Sequence, residues 1–166
     1  TISLWEDWLA KLPHLDDAIR NLEVAFESVS LGTGIGLLEA DGMDCFVSRD
    51  ELVAERAQDE KERWQNLDVR ALDELGDTAL CYFDTFGFLF HLPAFLISEL
   101  NDRFTNCHGV ICRLIDKRPT SSKWIHFLDD GQRRSLIDVL EIVQHHPEYH
   151  DQSERFRSSI DRIANL

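Results

Sequence analysis

Apolar residues recur three and four positions apart in the first and last parts of the chain. The first such stretch consists of Leu15, Ala18, Ile19, Leu22, Ala25, Phe26 and Val29. A stripe with this spacing is typical of an amphipathic helix packed on a core. The same spacing near the end predicts two further helices. One is capped by Asp129 or Asp130 and ended by Pro147, and the last carries Phe156, Ile160 and Ile163.

Two capping boxes, each a serine followed three residues later by a glutamate, predict helix starts. The first, Ser3 with Glu6, opens a short helix that Pro13 is expected to end. The second, Ser48 with Glu51, opens a helix rich in charge, which is expected to lie on the surface.

The middle of the chain has a different pattern. Residues 80–83 and 88–91 are two apolar, aromatic-rich runs, and the four residues between them begin with Asp84 and end with Gly87. Aspartate opens and glycine completes many tight turns, so the pattern predicts a β-hairpin. Pro93 is then expected to start a helix, and residues 109–115 a third strand. We therefore expect an α+β fold, a small antiparallel sheet of about three strands packed by about six helices.

Composition supports a globular protein. The chain has 166 residues, 43% of them hydrophobic and 29% charged, which suits a single domain spanning residues 1–166. No apolar run approaches the ~20 residues of a membrane span, and the first residues do not resemble a secretion signal. The four cysteines are expected to be reduced thiols, because a domain of this size needs no disulfides. These features predict a cytoplasmic protein.

The formal net charge of −14 limits the partners. Nucleic acid and anionic membranes both require a basic face, so neither is an expected partner. A basic protein is the partner that this charge favours, although net charge also serves solubility regardless of function.

Candidate catalytic residues follow from the predicted sheet. Glu39 and Asp44 lie in or beside a glycine-rich segment, and Asp84 and His91 lie on the hairpin. A pocket between the two could hold a carboxylate and histidine site, which is the enzymatic hypothesis. The glycine-rich segment lacks the lysine of a phosphate loop, so no nucleotide or other cofactor is predicted.

One short stretch of the chain holds three residues that are soft metal ligands. Cys107, His108 and Cys112 offer two thiols and an imidazole. Zinc needs four converging ligands, and a strand over residues 109–115 would carry Cys112 away from Cys107. A metal site here is therefore the least favoured of the hypotheses.

Four stretches of the chain form a distinctive set: Gly34-Ile35-Gly36-Leu37-Leu38-Glu39-Ala40, Phe83-Asp84 with Gly87, Phe90-His91-Leu92-Pro93-Ala94-Phe95, and Phe127-Leu128 with Gln132. In these stretches the chain resembles a bacterial domain family of unknown function. The resemblance implies a bacterial cytosolic protein. It transfers no catalytic residue, because the family has no assigned reaction.

The functional hypothesis that we favour is a non-enzymatic protein-binding module with a basic partner, as for an immunity protein that neutralises a toxin. It accounts for the acidity, the small size and the lack of a converging catalytic set. The alternative is an uncharacterised enzyme that uses the four candidate residues near the sheet. The sequence predicts neither the identity of the partner nor the oligomeric state.

Overall fold

The structure, a computed structural model, describes residues 2–107, 109–116 and 119–165. Contacts within the chain divide it into two compact units. Unit 1 combines the residues up to Glu27 with those from Leu114 onward, and unit 2 is Ser28–Arg113.

The regular secondary structure of the described residues is helical. The α-helices are α1 (Ile2–Phe26), α2 (Leu37–Asp44), α3 (Arg49–Gln58), α4 (Val69–Tyr82), α5 (Thr85–Leu100), α6 (Val110–Leu114), α7 (Asp130–Val143) and α8 (Ser153–Ala164). Short 3-10 helices span Trp64–Asn66, Pro119–Phe127 and Pro147–Tyr149. Within the described ranges there is no β-strand, so the predicted α+β fold with its three-stranded antiparallel sheet is wrong.

The predicted hairpin is two helices joined at Asp84. Residues 80–82 are the last turn of α4, and Asp84 caps α5 by accepting a hydrogen bond from the backbone N–H of Gly87 at 2.8 Å. An aspartate that accepts from the third residue onward serves a helix start as well as it serves a turn. The buried residues of α5 run unbroken from Gly87 to Leu96. A helix that is apolar on all sides looks like two short strands in sequence, because both give continuous apolar runs.

Two prolines do not mark the helix ends that were predicted. Pro13 lies inside α1, and Pro93 lies inside α5 rather than at its start. Each removes one backbone N–H from its helix. Around Pro93, burial of the surrounding apolar residues outweighs that cost, whereas Pro13 lies in an exposed part of α1 between Leu12 and His14. The predicted third strand is also helical, because Val110–Leu114 forms α6.

In unit 1, α1 packs against α7, and α7 against α8. Most of the apolar stripe predicted from Leu15 onward is buried on α1, up to Phe26, whereas Ala25 is half-buried and Val29 lies beyond the helix. On α8, Phe156 and Ile163 are buried and Ile160 is half-buried. The predicted cap of α7 is confirmed, since Asp129 and Gln132 form a reciprocal capping box. Ser159 on α8 donates a 2.5 Å hydrogen bond to the carbonyl oxygen of Leu114.

In unit 2, α2 packs against α3 and α4, and α4 packs against α5. Ser48 and Glu51 cap α3 as predicted. Asp73 on α4 organises the segment after α5. Its carboxylate accepts hydrogen bonds from the backbone N–H groups of Thr105, Asn106 and Cys107, at 2.9, 2.8 and 3.0 Å. None of the described helices in either unit is both long and apolar enough to span a bilayer.

Candidate functional site

The glycine-rich segment before α2 is held by a cation. Arg56 on α3 donates to the carbonyl oxygen of Gly34 at 2.7 Å and forms an ion pair with Glu39 on α2. The segment is therefore a packed part of unit 2. Glu39, one of the predicted catalytic residues, is the counter-ion of Arg56 here.

The same segment lies directly against the first turn of α5. A Cβ on Gly34 would approach the carbonyl carbon of Phe86 to 2.8 Å, and one on Gly87 would collide with the carbonyl oxygen of Ile35. The two backbones meet where only glycine leaves room. Asp84 joins them, because its Oδ1 accepts from Ile35 N at 3.0 Å in addition to capping α5. Asp84, the second predicted catalytic residue, therefore stabilises unit 2 through both hydrogen bonds.

His91 is a core residue. Its side chain is 1% exposed, its Nδ1 lies 2.7 Å from the carbonyl oxygen of Gly87, and its ring stacks on Phe83 with centroids 4.4 Å apart. Burial lowers the pKa of His91 to about 4, against an opposing contribution from the Gly87 hydrogen bond. The imidazole is therefore neutral at pH 7, and Nδ1 carries the proton donated to Gly87.

The fourth candidate, Asp44, lies at the end of α2. It accepts a 3.0 Å hydrogen bond from the hydroxyl of Tyr82 on α4. Among the described residues, no two of the four candidate side chains bond to each other, and each has a bond that stabilises unit 2. These bonds explain the four residues structurally, so we assign no reaction to them.

The end of α2 is strongly acidic. Asp41 raises the pKa of the exposed Cys45 thiol, and burial, Asp44 and Glu55 raise it further. Since three carboxylates act on one thiol, negative potential is concentrated at this end of the helix. Glu55 lies against Gly42, where the absence of a Cβ leaves space for its carboxylate.

Phe46 follows this acidic helix end and projects into solvent. Its side chain is 90% exposed, more than any other exposed large apolar residue described, and its φ is +54°. The backbone N–H of Phe46 donates to the carbonyl oxygen of Met43 at 3.3 Å, and that of Val47 to Gly42 at 3.1 Å. This pair of bonds is the Schellman motif, in which the left-handed position is usually glycine. Phe46 was not predicted from the sequence, because no sequence signal marks a phenylalanine at a position that glycine favours.

Charge is unequal between the units. Unit 2 holds 16 acidic and seven basic residues, a net charge of −9, while unit 1 holds 15 and 10, a net charge of −5. The acidity that the sequence suggested for partner binding is therefore greatest in the unit that carries Phe46.

Two open surface grooves lie among the described residues of unit 1. One lies between α7 and α8 and is lined by Arg133, Arg134 and Ile163 among others. The other lies between α1 and α7, where Lys11 and His14 face Asp138 and Glu141. Both are shallow and mix charges of opposite sign, so neither favours one class of ligand.

The predicted soft-ligand set is only partly described. Cys107 is buried, and burial raises its thiol pKa to about 12, whereas Cys112 is exposed on α6. His108 lies outside the described residues. Within the described ranges no group of three or more histidine, cysteine, aspartate or glutamate side chains is arranged to hold a metal ion. A metal site formed by Cys107, His108 and Cys112 remains the least favoured of the hypotheses.

Comparison with known families identifies the relationship that the sequence suggested. Residues 14–164 match the family described as "Family of unknown function (DUF6714)". The match covers most of the chain, so the chain belongs to this family, which confirms the resemblance to a family of unknown function. Comparisons with curated proteins and with solved structures gave no match.

Proposed function

We propose that the protein is a non-enzymatic binding module whose partner is a basic protein, bound through the acidic surface of unit 2. The observation that carries this proposal is the concentration of carboxylates at the end of α2, where Asp41, Asp44 and Glu55 together raise the pKa of Cys45. A negative patch steers a positive partner and selects against other acidic proteins.

The structural roles of the catalytic candidates support the same proposal. The carboxylates and the imidazole nominated for catalysis have bonds within unit 2. Of the carboxylates around Cys45, Asp44 is exposed and Asp41 half-buried, so a partner's charges can pair with them, whereas Glu55 is half-buried against Gly42. A module that binds a basic protein and covers its active surface fits this distribution of charge.

The test uses short synthetic peptides, one set rich in arginine and lysine and a matched set in which glutamate replaces both. We expect the full chain to bind the basic set and not the acidic set, with an affinity that falls as salt is added. The double variant Asp41→Asn/Asp44→Asn should bind about tenfold more weakly, because it removes two charges of the patch. Asparagine keeps an oxygen that can accept from Tyr82.

The matched control is Asp151→Asn/Asp161→Asn, which removes two exposed carboxylates from unit 1. It changes the net charge equally, so it should leave peptide affinity nearly unchanged. Equal losses in the two double variants would mean that binding follows overall charge and not this surface. No preference for basic over acidic peptides at low salt would refute the proposal.

One readout needs no partner. In a variant whose only cysteine is Cys45, neutralising Asp41 and Asp44 should lower the thiol pKa, because their charges raise it in the wild-type chain. A thiol titration that does not move would show that the patch lacks the electrostatic potential on which the proposal depends.

A further inference from the structure

Phe46 occupies a position where neither local conformation nor burial favours phenylalanine. Its φ of +54° is in the left-handed region, which glycine adopts freely and a bulky side chain adopts at a cost. Its ring is 90% exposed, so packing within the chain returns little of that cost. Positions that break a local rule without a compensating contact are where functional residues are expected.

The residues that neighbour Phe46 in sequence indicate what its ring would bind. The end of α2 places Asp41 and Asp44 two to five residues before Phe46, and Asp50 and Glu51 follow at the start of α3. Arg49 is the single basic residue in the stretch from 40 to 55. An aromatic face within a negative field attracts a cation through both the ring quadrupole and the carboxylates.

We propose that Phe46 is the anchor of the partner interface and that it receives an arginine or lysine side chain of a basic protein. The apolar stem or guanidinium plane of that side chain lies against the ring, and its charged end pairs with Asp41 or Asp44. This inference rests on the proposed function and names the contact that gives it specificity. Aromatic anchors inside a charged rim carry much of the energy of many protein interfaces.

Charge favours a basic protein over two other possible partners at Phe46. A second copy of this chain would bring another acidic patch against the first, and like charges oppose such a contact. An anionic membrane would be repelled by the same carboxylates. A basic protein surface is the occupant that complements both the ring and the charge.

The experiment measures the affinity of the full chain for a dye-labelled arginine-rich peptide by fluorescence anisotropy. Phe46→Gly and Phe46→Ala should each weaken binding about tenfold or more, as expected for an interface anchor. Phe46→Gly provides a folded control, because glycine suits the left-handed turn and keeps the Schellman motif. The matched control is Phe127→Ala, which removes an exposed phenylalanine from unit 1 and should change affinity by less than about twofold.

The outcomes separate this inference from the proposed function. If both Phe46 variants bind like wild type while Asp41→Asn/Asp44→Asn binds weakly, the anchor is refuted and the basic-partner function stands. If wild type binds no basic peptide, the function fails and the anchor fails with it. A self-association of the wild-type chain that Phe46→Gly abolishes would also overturn the inference, since it would identify a second copy as the occupant.

Discussion

Position 46 should reverse the usual order of alanine and glycine in their effect on stability. Phe46 closes the Schellman motif at the end of α2 with a φ of +54°. The left-handed conformation costs an L-residue about 1–2 kcal/mol, and glycine avoids this cost. Glycine in turn lowers the free energy of unfolding by about 0.5–1 kcal/mol, because it is more flexible in the unfolded chain. We therefore expect Phe46→Gly to be more stable than Phe46→Ala by about 0.5–1 kcal/mol. Both variants lack the ring, so the small packing of the exposed side chain cancels in the comparison.

The reference is an exposed residue inside a helix. Ala54 lies within α3, where replacing alanine by glycine should cost about 1 kcal/mol in the free energy of unfolding. Urea unfolding followed by far-UV circular dichroism measures each difference, and thermal unfolding gives about 2–4 °C per kcal/mol for a chain of this size. If Phe46→Ala is as stable as Phe46→Gly, residue 46 does not hold the left-handed turn, and the argument that phenylalanine is costly there is wrong.

Three further predictions concern the rest of the chain. Gly87→Ala should lower the free energy of unfolding by about 2 kcal/mol, because the added Cβ would collide with the Ile35 carbonyl. The control Gly131→Ala should be near neutral. Equal effects of the two substitutions in urea titrations would refute the close approach at Gly87. The backbone N–H of Asn106, followed by those of Cys107 and Thr105, lowers the pKa of Asp73, so its contribution to stability is complete above the unfolded pKa of about 4 and is lost as pH falls through the folded value. Asp73→Asn should therefore flatten the pH dependence of the urea midpoint in acid, and an unchanged dependence would contradict the assignment. The pKa of His91 in the folded chain is lowered to about 4, so the unfolded chain takes up the proton first as pH falls. The stability present above about pH 6.5 should therefore fall by about 3 kcal/mol towards pH 4. An NMR titration that places the ring pKa near 6.5 would exclude its burial.

The sequence predicted the elements that depend on local signals. The capping boxes at Ser48 and Asp129 satisfy backbone N–H groups within a few residues of themselves, so the pattern and the structure agree. The apolar stripe of α1 and the pair Phe156 and Ile163 on α8 follow helical spacing, which one face of a helix requires. Local rules suffice where the interacting groups are neighbours in sequence.

Secondary structure was predicted wrongly where a helix is apolar on all sides. The buried run of α5 has no polar face, so its periodicity does not separate a buried helix from strands, and its phenylalanines favoured the wrong choice. The cap at Asp84 was found but was assigned to a turn, because the same hydrogen bond to Gly87 occurs in both. The length of the apolar stretch, from Thr85 to Leu100, was the better guide, since strands are seldom so long.

Helix α2 was missed because its cap comes from a distant part of the chain. The segment before it is rich in glycine, and Gly36, at its N-cap, makes no side-chain hydrogen bond. Asp59 supplies the acceptor instead, since its carboxylate binds the backbone N–H groups of Leu38 at 2.8 Å and Glu39 at 3.2 Å. Gly36 leaves room for that carboxylate, because a Cβ there would overlap it. A helix start completed by a residue about twenty positions later has no signature in a local window.

The candidate site was predicted in composition and not in arrangement. Acidity and a basic partner were inferred from net charge alone. In the structure, acidic residues cluster at the end of α2, and Phe46 follows directly after that end. Neither feature could be read from the sequence, because both depend on how α2 ends.

Residue-resolved NMR of the full chain, titrated with an arginine-rich peptide, would locate the partner interface. We expect saturable amide shifts concentrated at residues 41–47 and in the first turn of α3, which diminish with salt and in Phe46→Gly. Shifts confined to the grooves of unit 1, or none that saturate, would contradict this expectation.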